Sequence, residues 1–210
     1  MEKQRVRTRF VAGFLFCSFI ATLLLAAPAG CGYHLFPLNG FRPCPPATSQ
    51  PTTIILVRHA ERDPGDDPPL TTEGMTRAQN LALALADAGV TAIYCTDLIR
   101  NRDTAQPLAM LRGLTLNLVD ESRYADTPRA AAEIIADIQA RYAGGVVLFV
   151  GNIGSSRFGG PGINQELYRQ LGGTGTPPIR YRDLYVITVY PAGNRFIYAA
   201  YGGASSLDSN

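Results

Sequence analysis

Residues 52–63 read TTIILVRHAERD, an apolar stretch that ends in a cluster of charged and polar side chains. The β-branched and apolar residues at its start predict a strand that is buried in a sheet. The 210-residue chain contains only two histidines, so a histidine in this cluster is informative. The strand would present the following polar side chains at its carboxyl-terminal tip: Arg58, His59, Glu61 and Arg62.

An imidazole between arginines suits a bound anion, and phosphate best. Arginine offers planar, always charged donors that match phosphate oxygens in pairs. Positive neighbours lower the pKa of a histidine, and a neutral His59 could attack phosphorus and carry the phosphoryl group covalently. Phosphoryl transfer needs mainly positioning and charge stabilisation, so neither a metal nor another cofactor is expected. The alternative is a salt-bridged strand end in which Glu61 pairs with Arg58 or Arg62.

The composition predicts one globular domain without a nucleic-acid partner. Roughly 150 residues follow from Thr52 to Gly202, which suits a single domain. Residues 1–30 hold four of the 19 basic and one of the 17 acidic residues, so the rest of the chain has a net charge of −1. A nearly neutral domain lacks the basic footprint of a nucleic-acid-binding protein.

Residues 1–31 predict an export signal or a membrane anchor. A basic start precedes the apolar segment FVAGFLFCSFIATLLLAA at residues 10–27. Three outcomes fit: cleavage at the A-x-A site of residues 27–29 and secretion, lipidation of Cys31 in a lipobox-like PAGC, or an uncleaved anchor. The basic start keeps the N-terminus in the cytoplasm. All three outcomes therefore place the domain outside the inner membrane, and two of them attach it to the membrane.

Residues 32–51 are rich in proline and turn formers, and they predict a tether. The second histidine, His34, lies in this tether and is interpreted as a spacer residue. Cys44 in the tether and Cys95 in the domain are left in an oxidising compartment, where a disulfide between them is one option. There is no C-x-x-C motif and no His/Cys cluster in the sequence, so no metal site is predicted.

Alternating strand and helix signals predict one α/β domain over residues 52–203. Continuous apolar strands followed by helices indicate a three-layer α/β/α sandwich with a mostly parallel sheet, and a closing hairpin adds an antiparallel edge. Residues 204–210 are predicted to be a disordered tail. The predicted strands are 52–57, 91–96, 114–119, 146–150, 183–190 and 195–202.

The helices between these strands are predicted from their caps and periodicity. The helix of residues 97–113 is expected to kink or break near Pro107, and the helix after it is expected to have Thr127 as its N-cap and Pro128 as its first residue. Ligands of such sheets bind beyond the carboxyl ends of the strands. The apolar face of the first helix is predicted to comprise Met75, Ala78, Ala82 and Leu85.

Three segments in this order resemble the histidine phosphatase superfamily: LVRHAERDPGDDPPLTTEGMTRAQNLALAL, IYCTDLIRNRDTAQPLA and VVLFVGN. The resemblance covers nearly all of residues 52–202 and is closest to the small, short-loop branch with Arg-His-Ala-Glu in place of Arg-His-Gly-Glu. It implies a phosphoglycerate-mutase-like fold and hydrolysis of phosphomonoesters through a phosphohistidine. His59 matches the family's nucleophile. The residues expected to bind the phosphate are Arg58, Arg62, Arg100 and Asn152.

The sequence departs from the family pattern after the fourth strand. The family reads Gly-His there, and its second histidine binds the phosphoryl group and stabilises its transition state; this chain has Gly151 and Asn152 instead. Asn152 keeps an amide donor without a charge, and such a loss typically costs roughly 10²–10³ in rate, less if Arg157 compensates. Glu121, or Asp120 before it, is the candidate acid for the leaving group.

Three functions stay open from the sequence. The first is a weakened or specialised phosphatase that acts on small phosphomonoesters or phosphorylated residues. The second is a pseudophosphatase that binds phosphate or a phosphorylated ligand without turnover. The third is an envelope protein in which the inherited fold serves protein contact.

Overall fold

The computed structural model describes residues 50–154 and 158–208. The leader with Cys31, most of the tether with His34 and Cys44, and the loop residue Arg157 lie outside these ranges, so the expectations about them stay predictions. Within the described ranges, no helix combines the length and apolar character that a membrane span requires.

Six strands form one sheet: β1 (Thr52–Arg58), β2 (Val90–Thr96), β3 (Leu116–Val119), β4 (Val146–Gly151), β5 (Asp183–Val189) and β6 (Arg195–Ala200). Their spatial order is β3-β2-β4-β1-β5-β6. Strands β1 to β4 run parallel, whereas β5 pairs antiparallel with β1, and β6 antiparallel with β5. The predicted mostly parallel sheet with an antiparallel edge is therefore confirmed.

The helices lie on both faces of the sheet: α1 (Thr72–Ala84), α2 (Ile99–Arg112), α3 (Thr127–Arg141) and α4 (Ile163–Gln170), with a 3-10 helix at Glu121–Asp126. Strand β1 alternates between the two cores because successive side chains point to opposite faces. Ile54 and Leu56 pack with α3 and α4, and Ile55 and Val57 pack with α1 and α2. The predicted three-layer sandwich is confirmed.

Two helix predictions were wrong in part. Met75 is 52% exposed, and Arg77 is buried on the inner side of α1. The other predicted members of this apolar face, Ala78, Ala82 and Leu85, are buried. Only the Met75 position fails, and the buried ion pair of Arg77, described below, lies on the inner side of this first part of the helix. Helix α2 continues through Pro107, so the alternative of a break there was wrong, whereas a kink stays a prediction. The burial of Ala105, Leu108 and Ala109 compensates for one lost hydrogen bond.

Residues 204–208, which belong to the segment predicted to be a disordered tail, make polar contacts with the rest of the domain. The backbone N–H and hydroxyl of Ser206 both donate to the Glu73 carboxylate. The Asp208 carboxylate accepts a hydrogen bond of 3.2 Å from the backbone N–H of Tyr181. Polar side chains therefore fix this segment without a hydrophobic core of its own, which is why its composition resembled that of a tail.

Cys95 is a free thiol with 0% exposure. Burial raises its pKa to about 12, so the thiol stays protonated and unreactive at neutral pH. Its candidate disulfide partner, Cys44, falls outside the described residues.

A buried ion pair joins the tip of β1 to helix α1. Glu61 is fully buried, and both its carboxylate oxygens accept from Nε of Arg77, at 2.7 and 2.8 Å. Arg77 also donates to the carbonyl oxygens of Tyr201 and Gly203 near the chain end. The sequence alternative, in which Glu61 pairs with Arg58 or Arg62, was wrong. Gly74 allows the approach, because a Cβ at this position would lie 2.1 Å from the Glu61 carbonyl oxygen.

Substitution Arg77→Met is expected to lower the free energy of unfolding by about 3–5 kcal/mol, because it leaves the Glu61 charge buried without a partner. Urea unfolding of the full chain, followed by circular dichroism, measures the change. The matched control is Arg102→Met, which removes a pair with Asp97 whose side chains are 43% and 42% exposed and should cost less than about 1 kcal/mol. Equal effects of the two substitutions would show that the buried pair has no special role.

Candidate active site

Most of the predicted site residues lie together at the carboxyl ends of β1 and β4, which is a topological switch point of the sheet. Strands β1 and β4 are neighbours, but the chain leaves β1 towards β2 on one side and leaves β4 towards β5 on the other. Open α/β sheets bind their ligands beyond the carboxyl ends of strands at such a point. A cavity of about 200 Å³ opens there. Its walls include Arg58, His59, Arg62, Arg100, Glu121 and Asn152.

The backbone around this cavity is fixed by close contacts between neighbouring strand ends. The His59 N–H donates to the Gly151 carbonyl at 3.1 Å. Buried Asn164 at the start of α4 donates to the Val57 carbonyl at 2.8 Å, and its N–H donates to the Asn152 carbonyl. Only glycine fits at position 151, because a Cβ would lie 2.1 Å from Oδ1 of Asn164. Position 152 is thereby held against the tip of β1.

The tautomer of His59 follows from its hydrogen bond. The ring is 4% exposed, and its Nδ1 lies 2.8 Å from the Ala60 carbonyl oxygen. Because a carbonyl can only accept, Nδ1 carries the proton and the neutral ring keeps its lone pair on Nε2. Burial first, and then the charges of Arg58, Arg100 and Arg62, lower the pKa of His59 to about 3. His59 is therefore a neutral potential nucleophile at physiological pH.

The guanidinium group of Arg58 is held by one loop segment. It donates from Nη1 to the Ile179 carbonyl at 2.9 Å and from Nη2 to the Tyr181 hydroxyl at 3.0 Å. Its carbon lies 3.8 Å from the centroid of the Tyr181 ring, which also meets the His59 ring edge-on at 5.9 Å. The Nε atom of Arg58 is buried without a hydrogen-bond partner among the described residues, so a donor is left for a ligand.

Arg62 and Arg100 are also held by oxygen atoms of nearby loop residues, which are backbone carbonyls and, for Arg100, one carboxylate as well. Arg62 donates to the carbonyls of Asp63 and Gly65. Arg100, which is 8% exposed, donates from Nη1 to the Asp66 carbonyl and to the Asp67 carboxylate, both at 3.1 Å. Its Nε is also buried and lacks a partner in the described part of the chain. Arg100 therefore keeps a donor for an anion in the cavity.

The remaining predicted residues have different positions. Asn152 lines the cavity, and its Oδ1 is buried with no hydrogen-bond partner among residues 50–154 and 158–208. Glu121 also lines the cavity, whereas the alternative acid Asp120 uses its carboxylate to cap the 3-10 helix at the N–H of Ser122. Arg157 is outside the described residues.

Sequence reasoning missed four residues that hold the site together. Tyr181 and Asp67 come from loops without a regular pattern, and Thr104 and Asn164 lie within helices. Thr104 accepts from the Ala60 N–H at 2.8 Å and donates to the Arg100 carbonyl at 2.7 Å, so it links β1 to α2. Thr104, Asn164 and Tyr181 form hydrogen bonds with residues that are 44 to 123 positions away in the chain. No local sequence pattern therefore identifies these three residues.

The arrangement is suited to an anion rather than to a metal ion. Three guanidinium groups share the cavity with one neutral imidazole, and guanidinium groups bind phosphate oxygens well. Among the described residues, no group of three or more His, Cys, Asp or Glu side chains lies together as a metal site would require.

The geometry agrees with the comparisons with known proteins. The family model described as histidine phosphatase superfamily (branch 1) matches residues 54–144. An 8-oxo-(d)GTP phosphatase of Mycolicibacterium smegmatis is 32% identical over 111 residues, which cover 48% of this chain. The match spans only about a third (34%) of that relative's length.

Solved structures share the fold at low sequence identity. A putative alpha-ribazole-5'-P phosphatase of Escherichia coli has a TM-score of 0.56 and 15% identity, over 75% of this chain and 99% of its own. The protein histidine phosphatase SixA, complexed with tungstate, has a TM-score of 0.55 and 15% identity, over 70% and 96%. YhfR of Bacillus stearothermophilus has a TM-score of 0.55 and 21% identity, over 73% and 98%.

The imidazole of His59 is expected to stay neutral from pH 8 to pH 5, with the proton on Nδ1. Nitrogen-15 NMR of the histidine side chains checks this expectation, and a His34→Gln variant assigns the two signals. Inorganic phosphate should raise the pKa of His59, because a nearby anion favours the imidazolium form. A His59 that titrates near its ordinary pKa, roughly 6.5, would contradict the buried cationic site.

Proposed function

We propose that this chain, which belongs to the histidine phosphatase superfamily, hydrolyses phosphomonoesters through a phosphohistidine on His59. The observation that supports the proposal is a buried imidazole with Nε2 unprotonated beside two guanidinium groups, each with a buried and unpartnered Nε. The candidate nucleophile and the arginines that would donate hydrogen bonds to a phosphate line the same cavity.

The reaction follows from these positions in two steps. Nε2 of His59 attacks phosphorus, the bond to the leaving oxygen breaks, and the negative charge of the phosphoryl oxygens is stabilised by Arg58, Arg62 and Arg100. Glu121, on the cavity wall, is proposed to protonate the leaving oxygen. Water then attacks phosphorus and gives a proton back to the Glu121 carboxylate, the bond to Nε2 breaks, phosphate is released, and the neutral imidazole is regenerated.

We propose a weakened activity, because Asn152 brings no charge to the position where the family carries its second histidine. Losing one charge-assisted donor at such a site typically costs roughly 10²–10³ in rate. The same observation supports the second candidate, a pseudophosphatase that binds a phosphorylated ligand without turnover. The cavity of about 200 Å³ admits a phosphoryl group and a small part of its substrate. The relatives' names refer to different substrates, so similarity selects none of them.

The proposed location is outside the inner membrane, with attachment through lipidated Cys31 or through the apolar segment of residues 10–27. The basic start before this segment supports the orientation. The domain would then act on phosphorylated small molecules of the envelope, at the end of the tether.

Hydrolysis of p-nitrophenyl phosphate by the full chain tests the reaction. Wild type is expected to show slow turnover, and His59→Ala to abolish it. Asn152→His is expected to raise kcat by about 10²–10³. The matched control Asn117→His changes another half-buried asparagine, at the edge strand β3, and should leave the rate unchanged.

The variants also separate the two candidates. Silent wild type with active Asn152→His would identify a pseudophosphatase with an otherwise intact pocket. Silence of every variant, in folded protein, would rule out the phosphohistidine mechanism for this chain.

The mode of attachment is tested by expression in a bacterial host with labelled palmitate. If Cys31 is the lipidated residue, wild type incorporates label and Cys31→Ser does not, with Cys17→Ser as the control. A Cys31→Ser variant that stays in the membrane fraction without label would favour the uncleaved anchor. Recovery of wild type in the cytoplasm would contradict the proposed location.

A further inference from the structure

One loop segment, residues 179–181, determines where Arg58 can lie. Two of the groups that accept from Arg58 belong to it, the Ile179 carbonyl and the Tyr181 hydroxyl. The Tyr181 ring is 5% exposed and lies against both the guanidinium group of Arg58 and the ring of His59. A shift of this segment would therefore move the phosphate-binding group next to the nucleophile.

Two carboxylates fix the segment from outside the cavity. Buried Asp183, the first residue of β5, accepts from the N–H groups of Ile179 and Arg180 at 3.0 and 2.9 Å. The Asp208 carboxylate accepts from the N–H of Tyr181 at 3.2 Å. The bond from Tyr181 to Asp208 is the only one of these that comes from the end of the chain, 27 residues away.

The end of the chain is in turn attached to helix α1. Arg77 donates to the carbonyls of Tyr201 and Gly203, and Ser206 donates twice to Glu73. We refer to residues 201–208 as the C-terminal latch. The latch connects the buried pair of Arg77 and Glu61, which is the last residue of the Arg-His-Ala-Glu motif, to the loop that holds Arg58.

We propose that Tyr181 is a positioning residue for Arg58 and that Asp208, through the C-terminal latch, holds Tyr181 in place for anion binding. The proposal rests on the proposed function, in that Arg58 is taken to bind a phosphate. Neither residue needs to touch the substrate. Their role is to fix the guanidinium group of Arg58 in its position next to the His59 ring.

Asp208 is expected to affect anion affinity in two opposite ways: its hydrogen bond strengthens binding and its negative charge weakens it. The two effects can be separated by substitution. Burial lowers the pKa of the Arg58 guanidinium, and the negative charge of Asp208 is one of the interactions that oppose this shift, so the two groups interact electrostatically. Removing only this charge should strengthen the binding of an anion, because the cavity becomes more positive. Removing the hydrogen bond as well should weaken binding, because Tyr181 and Arg58 lose their fixed position.

The experiment compares Asp208→Asn with Asp208→Ala in the full chain. Both variants lack the charge, but only the asparagine side chain can still accept from the Tyr181 N–H. Inorganic phosphate is titrated while the His59 imidazole signal is followed by NMR. We expect Asp208→Ala to bind phosphate about five-fold more weakly than Asp208→Asn, which is the effect of one hydrogen bond. Leu207→Ala, an exposed position of the same latch, should bind as wild type does.

The outcomes distinguish the positioning role from the proposed function. Equal affinities of Asp208→Ala and Asp208→Asn, with binding by wild type, would overturn the positioning role alone. Wild type that binds no phosphate would overturn both. A general loss of structure is recognised because it would abolish the cooperative unfolding transition of Asp208→Ala, whereas a positioning role lowers the phosphate affinity of a variant that stays cooperatively folded at the temperature of the titration.

Tyr181 gives an independent measurement. Tyr181→Phe keeps the ring stacked on Arg58 and removes only the hydroxyl acceptor, so it should weaken phosphate binding about five-fold. Tyr181→Leu removes the stacking as well and should weaken it further. If Tyr181→Phe binds phosphate as tightly as wild type does, the hydroxyl has no part in positioning Arg58.

Discussion

Three guanidinium groups lie beside a buried, neutral imidazole in this cavity, so they repel one another and must be held in place without losing their charge to nearby carboxylates. The structure meets this constraint by holding the arginines mainly with uncharged oxygen atoms. Arg58 and Arg62 donate to carbonyl or hydroxyl groups, and Arg100 forms an ion pair with the Asp67 carboxylate. A neutral acceptor fixes the direction of a guanidinium group while its positive charge stays available. The cavity can therefore attract an anion, and the same charges help to keep His59 unprotonated.

Glu61, the carboxylate within the Arg-His-Ala-Glu motif, is likewise kept away from the arginines of the cavity. Glu61 lies two residues after His59 and would pair with a phosphate-binding arginine if it faced the cavity. Instead it is fully buried on the other side of the strand tip, where Arg77 takes up its charge. That pair also joins β1, α1 and the end of the chain. The negative charge nearest in sequence thus stabilises the fold and does not compete with phosphate.

The fold and much of the site were predictable because their signals are local. Continuous apolar strands and capped helices predicted the layers, and three motifs placed His59, Arg58 and Arg100 at or just after strand ends that meet. Residues that act over long sequence distances left no such signal, as Tyr181 and Asp208 show. Met75 was misplaced because apolar periodicity cannot anticipate a buried ion pair at Arg77. The latch was missed because polar contacts, and not apolar burial, hold it in place.

At position 152 the main chain is held independently of the side chain, so a substitution there changes the chemical group and leaves the backbone in place. The carbonyl groups of Gly151 and Asn152 accept from His59 and Asn164, and Gly151 has no room for a side chain. The main chain is therefore fixed by contacts that do not depend on the side chain at 152. A neutral asparagine also spares the cavity a further positive charge beside three arginines, at the cost of transition-state stabilisation. In the proposed reaction, binding and turnover are therefore separable: the arginines attract the anion, and the residue at 152 sets the rate at which its phosphoryl group is transferred.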